Sequence, residues 1–140
     1  MNQPWARILV VDDEAVIRRT LETLLRRQGY AVWTAADSQE AYAWLRQGAF
    51  DLLLIDLKLP GGVSGLDIAQ GARAYQPDAV VLILTGSSEL VDTVGDSSIP
   101  HFEIMLKTAS PQDVLDRVAA LLARERGLHE RTWNADQAAR

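Results

Sequence analysis

Five short apolar runs recur along the chain, separated by longer amphipathic stretches. They are RILVV (7–11), AVWTA (31–35), DLLLI (51–55), AVVLIL (79–84) and FEIML (102–106). Most of these runs are continuously apolar rather than alternating, which is typical of strands that are covered on both faces. We therefore predict five buried strands.

The stretches between the runs carry apolar residues at helical spacing. In the first stretch, Ile17, Leu21 and Leu25 share one face, and charged residues occupy the other. Capping residues, glycines and prolines mark the helix boundaries. The predicted starts lie at Asp37, Gly65 and Ser110 with Pro111, and the predicted ends at Gly29, Gly48 and Tyr75 before Pro77. Alternation of strand and helix predicts an α/β fold: a doubly wound, five-stranded parallel sheet with helices on both faces.

Ligands of such sheets bind at the carboxyl ends of the strands, so the residues at those ends are the candidate chemistry. Asp12 and Asp13 follow the first run, Asp56 follows the third, Thr85 the fourth and Lys107 the fifth. Three carboxylates without histidine or cysteine favour Mg²⁺. Asp56 is placed to act as a nucleophile toward phosphorus, with Thr85 as a hydrogen-bond donor and Lys107 as a compact positive charge.

Composition narrows the class of protein. A length of 140 residues suits one domain, and a net charge of −5 argues against direct binding to nucleic acid. The chain has no cysteine, which suits a reducing compartment. We find no signal-peptide pattern and no apolar segment of membrane-spanning length, so we expect a cytoplasmic protein without membrane insertion.

Four motifs in order, VVDDE, LLLIDLKLP, LTG and LK, together resemble the receiver domain of bacterial two-component response regulators. The resemblance runs from Arg7 to about Arg126. It implies a flavodoxin-like (βα)5 fold with strand order 2-1-3-4-5. It also implies that Asp56 accepts a phosphoryl group from a sensor histidine kinase or phosphotransfer protein.

The resemblance further implies a ligand set for magnesium. Asp13 and Asp56 would bind the metal directly, Asp12 would act mostly through water, and the backbone carbonyl of Lys58 would be another ligand. On this basis residues 1–126 form the receiver domain, and 127–140 form a polar tail or a helix extension. We expect a phosphoacceptor switch rather than an enzyme, with an unknown output partner protein; a homodimer is left open.

The sequence departs from the family pattern near its fifth strand. Thr108 follows Lys107 where the family usually has proline, and Ile104 stands where it usually has an aromatic switch residue. Gly95 and Pro100 predict that a fourth helix, before the last strand, ends early. Our hypothesis is that a rearranged loop at 96–102 senses phosphorylation.

Two alternatives remain at this point. One is a receiver-like interaction module that is not phosphorylated, which the missing proline and aromatic residue favour. The other is an enzyme on the same fold, of the flavodoxin or phosphohydrolase type. It fits poorly, because a flavin phosphate would prefer a hydroxyl- or glycine-rich loop after the first strand, and DLKLP lacks a second aspartate two residues on.

Overall fold

A five-stranded parallel sheet with helices on both faces organises the chain, which we describe from a computed structural model. The structure describes residues 6–86, 102–107 and 110–138, with side chains of the last helix up to residue 124. In chain order the elements are β1 (Arg7–Val11), α1 (Ala15–Arg27), β2 (Ala31–Ala35), α2 (Ser38–Gln47), β3 (Leu52–Asp56), α3 (Gly65–Ala72), β4 (Val80–Thr85), β5 (Phe102–Leu106) and α4 (Pro111–Ala138). The strand order is β2-β1-β3-β4-β5, as predicted.

Alternate residues of each strand face two separate apolar layers, which explains why the runs are continuously apolar. On one face Ile8, Leu54 and Leu82 pack with α1 and α4. On the other, Leu9 and Ile55 pack with α2 and α3. All five residues of β3 are buried, and β3 is the middle strand of the sheet. Its carboxyl end therefore lies at the centre of the edge formed by the strand ends.

Local signals predicted from the sequence fix several of the helix ends. Gly29 follows α1 with φ of 95°, a left-handed conformation that favours glycine. The Asp37 side chain accepts a hydrogen bond of 2.9 Å from the Glu40 amide at the start of α2. At the start of α4, Ser110 Oγ accepts from the Asp113 amide at 3.2 Å, and Asp113 Oδ2 accepts from the Ser110 amide at 3.3 Å.

The observed elements differ from the predicted ones in small ways. β3 and β4 each begin and end one residue later than predicted, and α3 ends at Ala72 and passes into turns that reach Tyr75. The helix α4 continues through residues 127–138. The predicted short fourth helix, residue Thr108 and most of the 96–102 loop lie outside the described residues.

Candidate functional site

Strand register brings the ends of β3, β4 and β5 to one edge of the sheet. Asp56 pairs with Leu84, and Thr85 pairs with Leu106. Lys107 follows β5 directly, and its backbone N–H donates a 2.6 Å hydrogen bond to the Thr85 carbonyl oxygen. The three polar residues therefore occupy adjacent strand ends, where parallel sheets place their ligands.

Three acids meet at this edge, as the sequence predicted. Asp12, Asp13 and Asp56 each offer a carboxylate oxygen, and these oxygens lie within 4.8 Å of one another. Asp12 and Asp56 are 1% and 5% exposed, whereas Asp13 is exposed. Such a group would repel itself strongly unless a cation joined it.

Asp12 bears the clearest sign of an unmet electrostatic need. Its Oδ1 accepts a 2.8 Å hydrogen bond from the Glu14 amide, but its buried Oδ2 accepts no hydrogen bond of good geometry and has only the Lys107 ammonium, 3.5 Å away, as a polar neighbour of opposite charge. Burial raises the pKa of the Asp12 carboxyl above its usual value, and the nearby charge of Asp56 adds to this rise. The Glu14 amide and the charge of Lys107 only partly offset it. A buried acceptor without a donor fits a hard cation at this position.

Lys107 supplies the positive charge of the site. Its Nζ lies 2.8 Å from Asp56 Oδ2, 3.5 Å from Asp12 Oδ2 and 3.6 Å from Glu14 Oε1. Burial lowers the pKa of the ammonium, but the hydrogen bond to Asp56 and the charges of Asp12, Asp56 and Glu14 outweigh it, so the pKa is raised. Lys107 is therefore charged at neutral pH and held against Asp56.

A cavity of about 400 Å³ opens above these groups. Its lining residues are Asp13, Glu14, Asp56, Leu57, Lys58, Thr85, Gly86 and Lys107. Lys58 lines the cavity, and its amide donates a 3.4 Å hydrogen bond to Asp56 Oδ1. The role of its carbonyl oxygen as a metal ligand stays a prediction. Thr85 is only 3% exposed yet reaches the same cavity. All the predicted site residues are thus brought together.

Gly65 holds the loop after β3 close to the acceptor strand. A Cβ atom at Gly65 would collide with the backbone oxygen of Asp56, and the Gly65 amide donates a 2.7 Å hydrogen bond to Leu57 O. Between them, Gly61 and Gly62 have φ of 79° and 73° in a short 3-10 turn. Left-handed glycines thus turn this loop, and α3 begins close against β3.

Sequence reasoning missed two residues that take part in the site. Glu14 faces Lys107 from the cavity rim, and Arg18 donates a 2.9 Å hydrogen bond from Nη1 to the Asp12 carbonyl oxygen. The sequence pattern places Arg18 with the other charged residues on the polar face of α1. The position of Glu14 directly after Asp13 was an available signal for its role, whereas Arg18 reads from the sequence as one of several arginines on α1.

The edge strand β5 carries Ile104 as a buried residue. Ile104 is 7% exposed and belongs to the same apolar cluster as the partly buried Phe102. Phe102 therefore points to the same side of β5 as Ile104, the outcome expected of a regular strand.

Comparison with known proteins shows the family and agrees with the fold. The sequence model of the response regulator receiver domain matches residues 8–119. The chain therefore belongs to the response regulator receiver domain family, whose members serve two-component systems. It is 36% identical over 118 residues to the transcriptional regulatory protein ResD of Bacillus subtilis (strain 168), covering 84% of this chain and 48% of ResD. The chain thus spans about half the length of that relative.

Solved structures give the same result. The chain is similar to a response regulator receiver domain protein from Clostridium thermocellum, with a TM-score of 0.76, 30% identity, and coverage of 88% of this chain and 98% of that one. It is also similar to response regulator TrrA from Thermotoga maritima in complex with Mg²⁺ and BeF, with a TM-score of 0.69 and 32% identity, covering 83% and 98%. No helix in the described part of the chain is long and apolar enough to cross a membrane.

Proposed function

We propose that this chain is a magnesium-dependent phosphoacceptor switch that receives a phosphoryl group on Asp56. The observation that carries the proposal is the arrangement of three carboxylates within 4.8 Å, with a lysine ammonium 2.8 Å from the central one. The donor would be a sensor histidine kinase or a phosphotransfer protein, and the switch would change the binding of an output partner.

The residues present fit a magnesium ion. Asp12, Asp13 and Asp56 offer hard oxygen ligands, and the unbonded Oδ2 of Asp12 gives one of them a physical reason to attract a cation. The carbonyl oxygen of Lys58 is the further ligand that family resemblance implies. The similar receiver protein TrrA, whose structure is a complex with Mg²⁺ and BeF, supports the same assignment. Bound there, the metal would neutralise oxygens of the transferred group and so lower the barrier to attack by an anion.

The chain's own residues would then perform the transfer. A carboxylate oxygen of Asp56 forms a bond to phosphorus while the bond from phosphorus to the leaving group breaks, and the leaving group departs with that electron pair. Lys107, already 2.8 Å from Asp56, neutralises charge on the phosphoryl oxygens. Thr85, at the end of β4, donates a hydrogen bond to one of those oxygens. The product is an acyl phosphate on Asp56. Because the phosphoryl group ends on the protein itself, we propose a switch rather than a turnover enzyme.

The phosphoryl group would act by biasing an equilibrium between two conformations. It can do so only through contacts that differ between the two, and Thr85 and Lys107 are the groups placed to make them. Lys107 follows β5, so a change in its position is a change at the end of the edge strand.

Intact-mass measurement after incubation with Mg²⁺ and acetyl phosphate tests the proposal. We expect a mass gain of one phosphoryl group, lost in Asp56→Asn and when EDTA removes the metal. Asp78→Asn, which changes an exposed acid at the opposite edge of the sheet, should leave the gain intact. Absence of any gain would favour the alternative, an interaction module that is not phosphorylated, and a gain that persists in Asp56→Asn would place the acceptor elsewhere.

A further inference from the structure

Glu14 occupies a position whose side chain usually caps a helix. It is the N-cap residue of α1, with extended backbone angles (φ −84°, ψ 114°), and N-cap side chains usually accept a hydrogen bond from the first turn. The Glu14 side chain makes no such bond. An interaction that holds the Glu14 carboxylate must therefore lie outside the first turn of α1.

That interaction is with the cation of the site. Glu14 Oε1 lies 3.6 Å from Lys107 Nζ, and Glu14 lines the cavity above Asp56. The carboxylate is 60% exposed, whereas the ammonium is 22% exposed. Glu14 thus stands at the rim, between solvent and the charge that an incoming phosphoryl group must reach.

The charge balance makes this position consequential. Three acids, Asp13, Glu14 and Asp56, line the cavity together with two cations, Lys58 and Lys107. The Lys107 ammonium contacts Glu14, Asp56 and the neighbouring Asp12. Asp12, Asp13 and Asp56 have a use as metal ligands in the proposed function. Glu14 is not needed for that purpose, and its charge both repels an anion entering the cavity and competes with it for Lys107.

We propose that Glu14 is a positioning residue, acting through Lys107, that selects phosphodonors by charge. Small dianionic donors should react less readily because of it than less charged donors do. The inference rests on the proposed function, because it concerns the donor of the group that Asp56 receives. It differs from that function in assigning to this chain a specific preference at the cavity rim.

Two small donors that differ in charge test the preference directly. Acetyl phosphate is a dianion at neutral pH; its P–O bond to acetate breaks and acetate leaves. Phosphoramidate is a monoanion; its P–N bond breaks and the nitrogen leaves as ammonia after gaining a proton. Both deliver the same phosphoryl group, so the ratio of their rates isolates the effect of donor charge from the chemistry at Asp56.

With saturating Mg²⁺, we expect Glu14→Gln to raise the rate with acetyl phosphate by roughly two- to fivefold, and the rate with phosphoramidate by less. The ratio of the two rates should return toward the wild-type value in Glu14→Asp, which keeps the charge. In 1 M salt, where the screening length falls to about 3 Å, the ratios of all variants should converge. Glu22→Gln is the matched control on the same helix, and its ratio should equal that of the wild type.

The outcomes separate this inference from the function on which it rests. If the wild type is phosphorylated but Glu14→Gln changes both rates equally, or changes neither, Glu14 does not select donors and the proposed function stands. If Glu14→Asp behaves like Glu14→Gln, shape rather than charge is responsible and the inference fails. If the wild type accepts a phosphoryl group from neither donor, the proposed function fails and the inference fails with it.

Discussion

Replacing Asp12 with asparagine should make the metal-free protein more stable while it removes the response to magnesium. Asp12 is 1% exposed, its Oδ2 lacks a hydrogen-bond donor, and its pKa is raised mainly by burial and further by Asp56. Because the pKa is raised overall, the charged form costs stability even with Lys107 3.5 Å away. Asparagine removes that charge and keeps an oxygen that can accept from the Glu14 amide.

The expected gain follows from the cost of a buried acceptor that lacks a partner. Such a group costs about 1–3 kcal/mol, and the lost attraction to Lys107 offsets part of the gain, so we expect Asp12→Asn to add about 1 kcal/mol. For a chain of this length that corresponds to a rise in Tm of roughly 3–5 °C. The measurement is urea and thermal unfolding followed by circular dichroism at pH 7 in EDTA.

Magnesium should reverse the ranking. Mg²⁺ at a hundred times its Kd stabilises the protein that binds it by about 2.7 kcal/mol, and Asp12→Asn should lose most of this increment. Asp78→Asn, an exposed acid far from the site, should match the wild type in both conditions. The reasoning is refuted if Asp12→Asn is less stable than the wild type in EDTA, or if Mg²⁺ stabilises both proteins equally.

The same group predicts a pH dependence with a definite sign. A carboxyl whose pKa is higher in the folded state than in the unfolded state binds more protons when folded, so its contribution to stability falls as pH rises. For Asp12 the fall begins near 3.8, the ordinary pKa of an aspartate, and is complete above the raised pKa of the folded state. The stability difference between Asp12→Asn and the wild type, measured in EDTA, should therefore increase from pH 3.5 to about pH 7. A constant difference across that range would contradict the assignment.

Two further predictions concern the acceptor loop and the donor. Gly65→Ala should destabilise the protein by about 1–3 kcal/mol, because its Cβ would collide with the Asp56 carbonyl. Gly86→Ala, whose Cβ would meet open space, should cost less than about 0.5 kcal/mol. Equal costs of the two variants in urea unfolding would contradict this reasoning. Val16 is 77% exposed on α1 and lines an apolar cavity of about 250 Å³ that shares Lys107 with the acceptor site, so a protein donor that reaches Asp56 should cover it. Val16→Ser should then slow transfer from a phosphotransfer protein that phosphorylates the wild type by roughly five- to tenfold, without slowing acetyl phosphate; an equal loss with both donors would mean that Val16 does not contact the donor.

The sequence predicted the positions of the site residues well, because their location depends on simple geometry. Asp12, Asp56, Thr85 and Lys107 each follow or end an apolar run, and parallel strands must present these ends at one edge. The strand order came from family resemblance, since the apolar pattern alone does not state which strands are neighbours.

The parts that the sequence did not predict depend on side-chain directions across several elements. Glu14 reaches Lys107 from a different strand end, and Arg18 turns back to the Asp12 carbonyl, so neither contact follows from helical spacing. The one-residue shift of β3 has a different origin, in backbone pairing. Asp51 still makes backbone hydrogen bonds to Arg7 and Val80, so the end of the strand depends on pairing rather than on composition.

Phosphorylation and metal binding should be thermodynamically linked in this site, because one ammonium faces several carboxylates. Lys107 contacts Asp12, Glu14 and Asp56, and on the proposed function a phosphoryl group on Asp56 adds further negative charge within its reach. A bound divalent cation relieves that repulsion, so it should bind more tightly to the phosphorylated form than to the unphosphorylated one. Linkage is reciprocal. If phosphorylation raises the affinity for magnesium by some factor, bound magnesium shifts the phosphorylation equilibrium toward the phosphorylated form by the same factor. Lys107 also donates its backbone N–H to the Thr85 carbonyl oxygen, at the junction of β4 and β5. A change in the charges around its side chain is therefore connected to the backbone at this edge of the sheet. On the proposed function, this is a place for an output partner to detect the change.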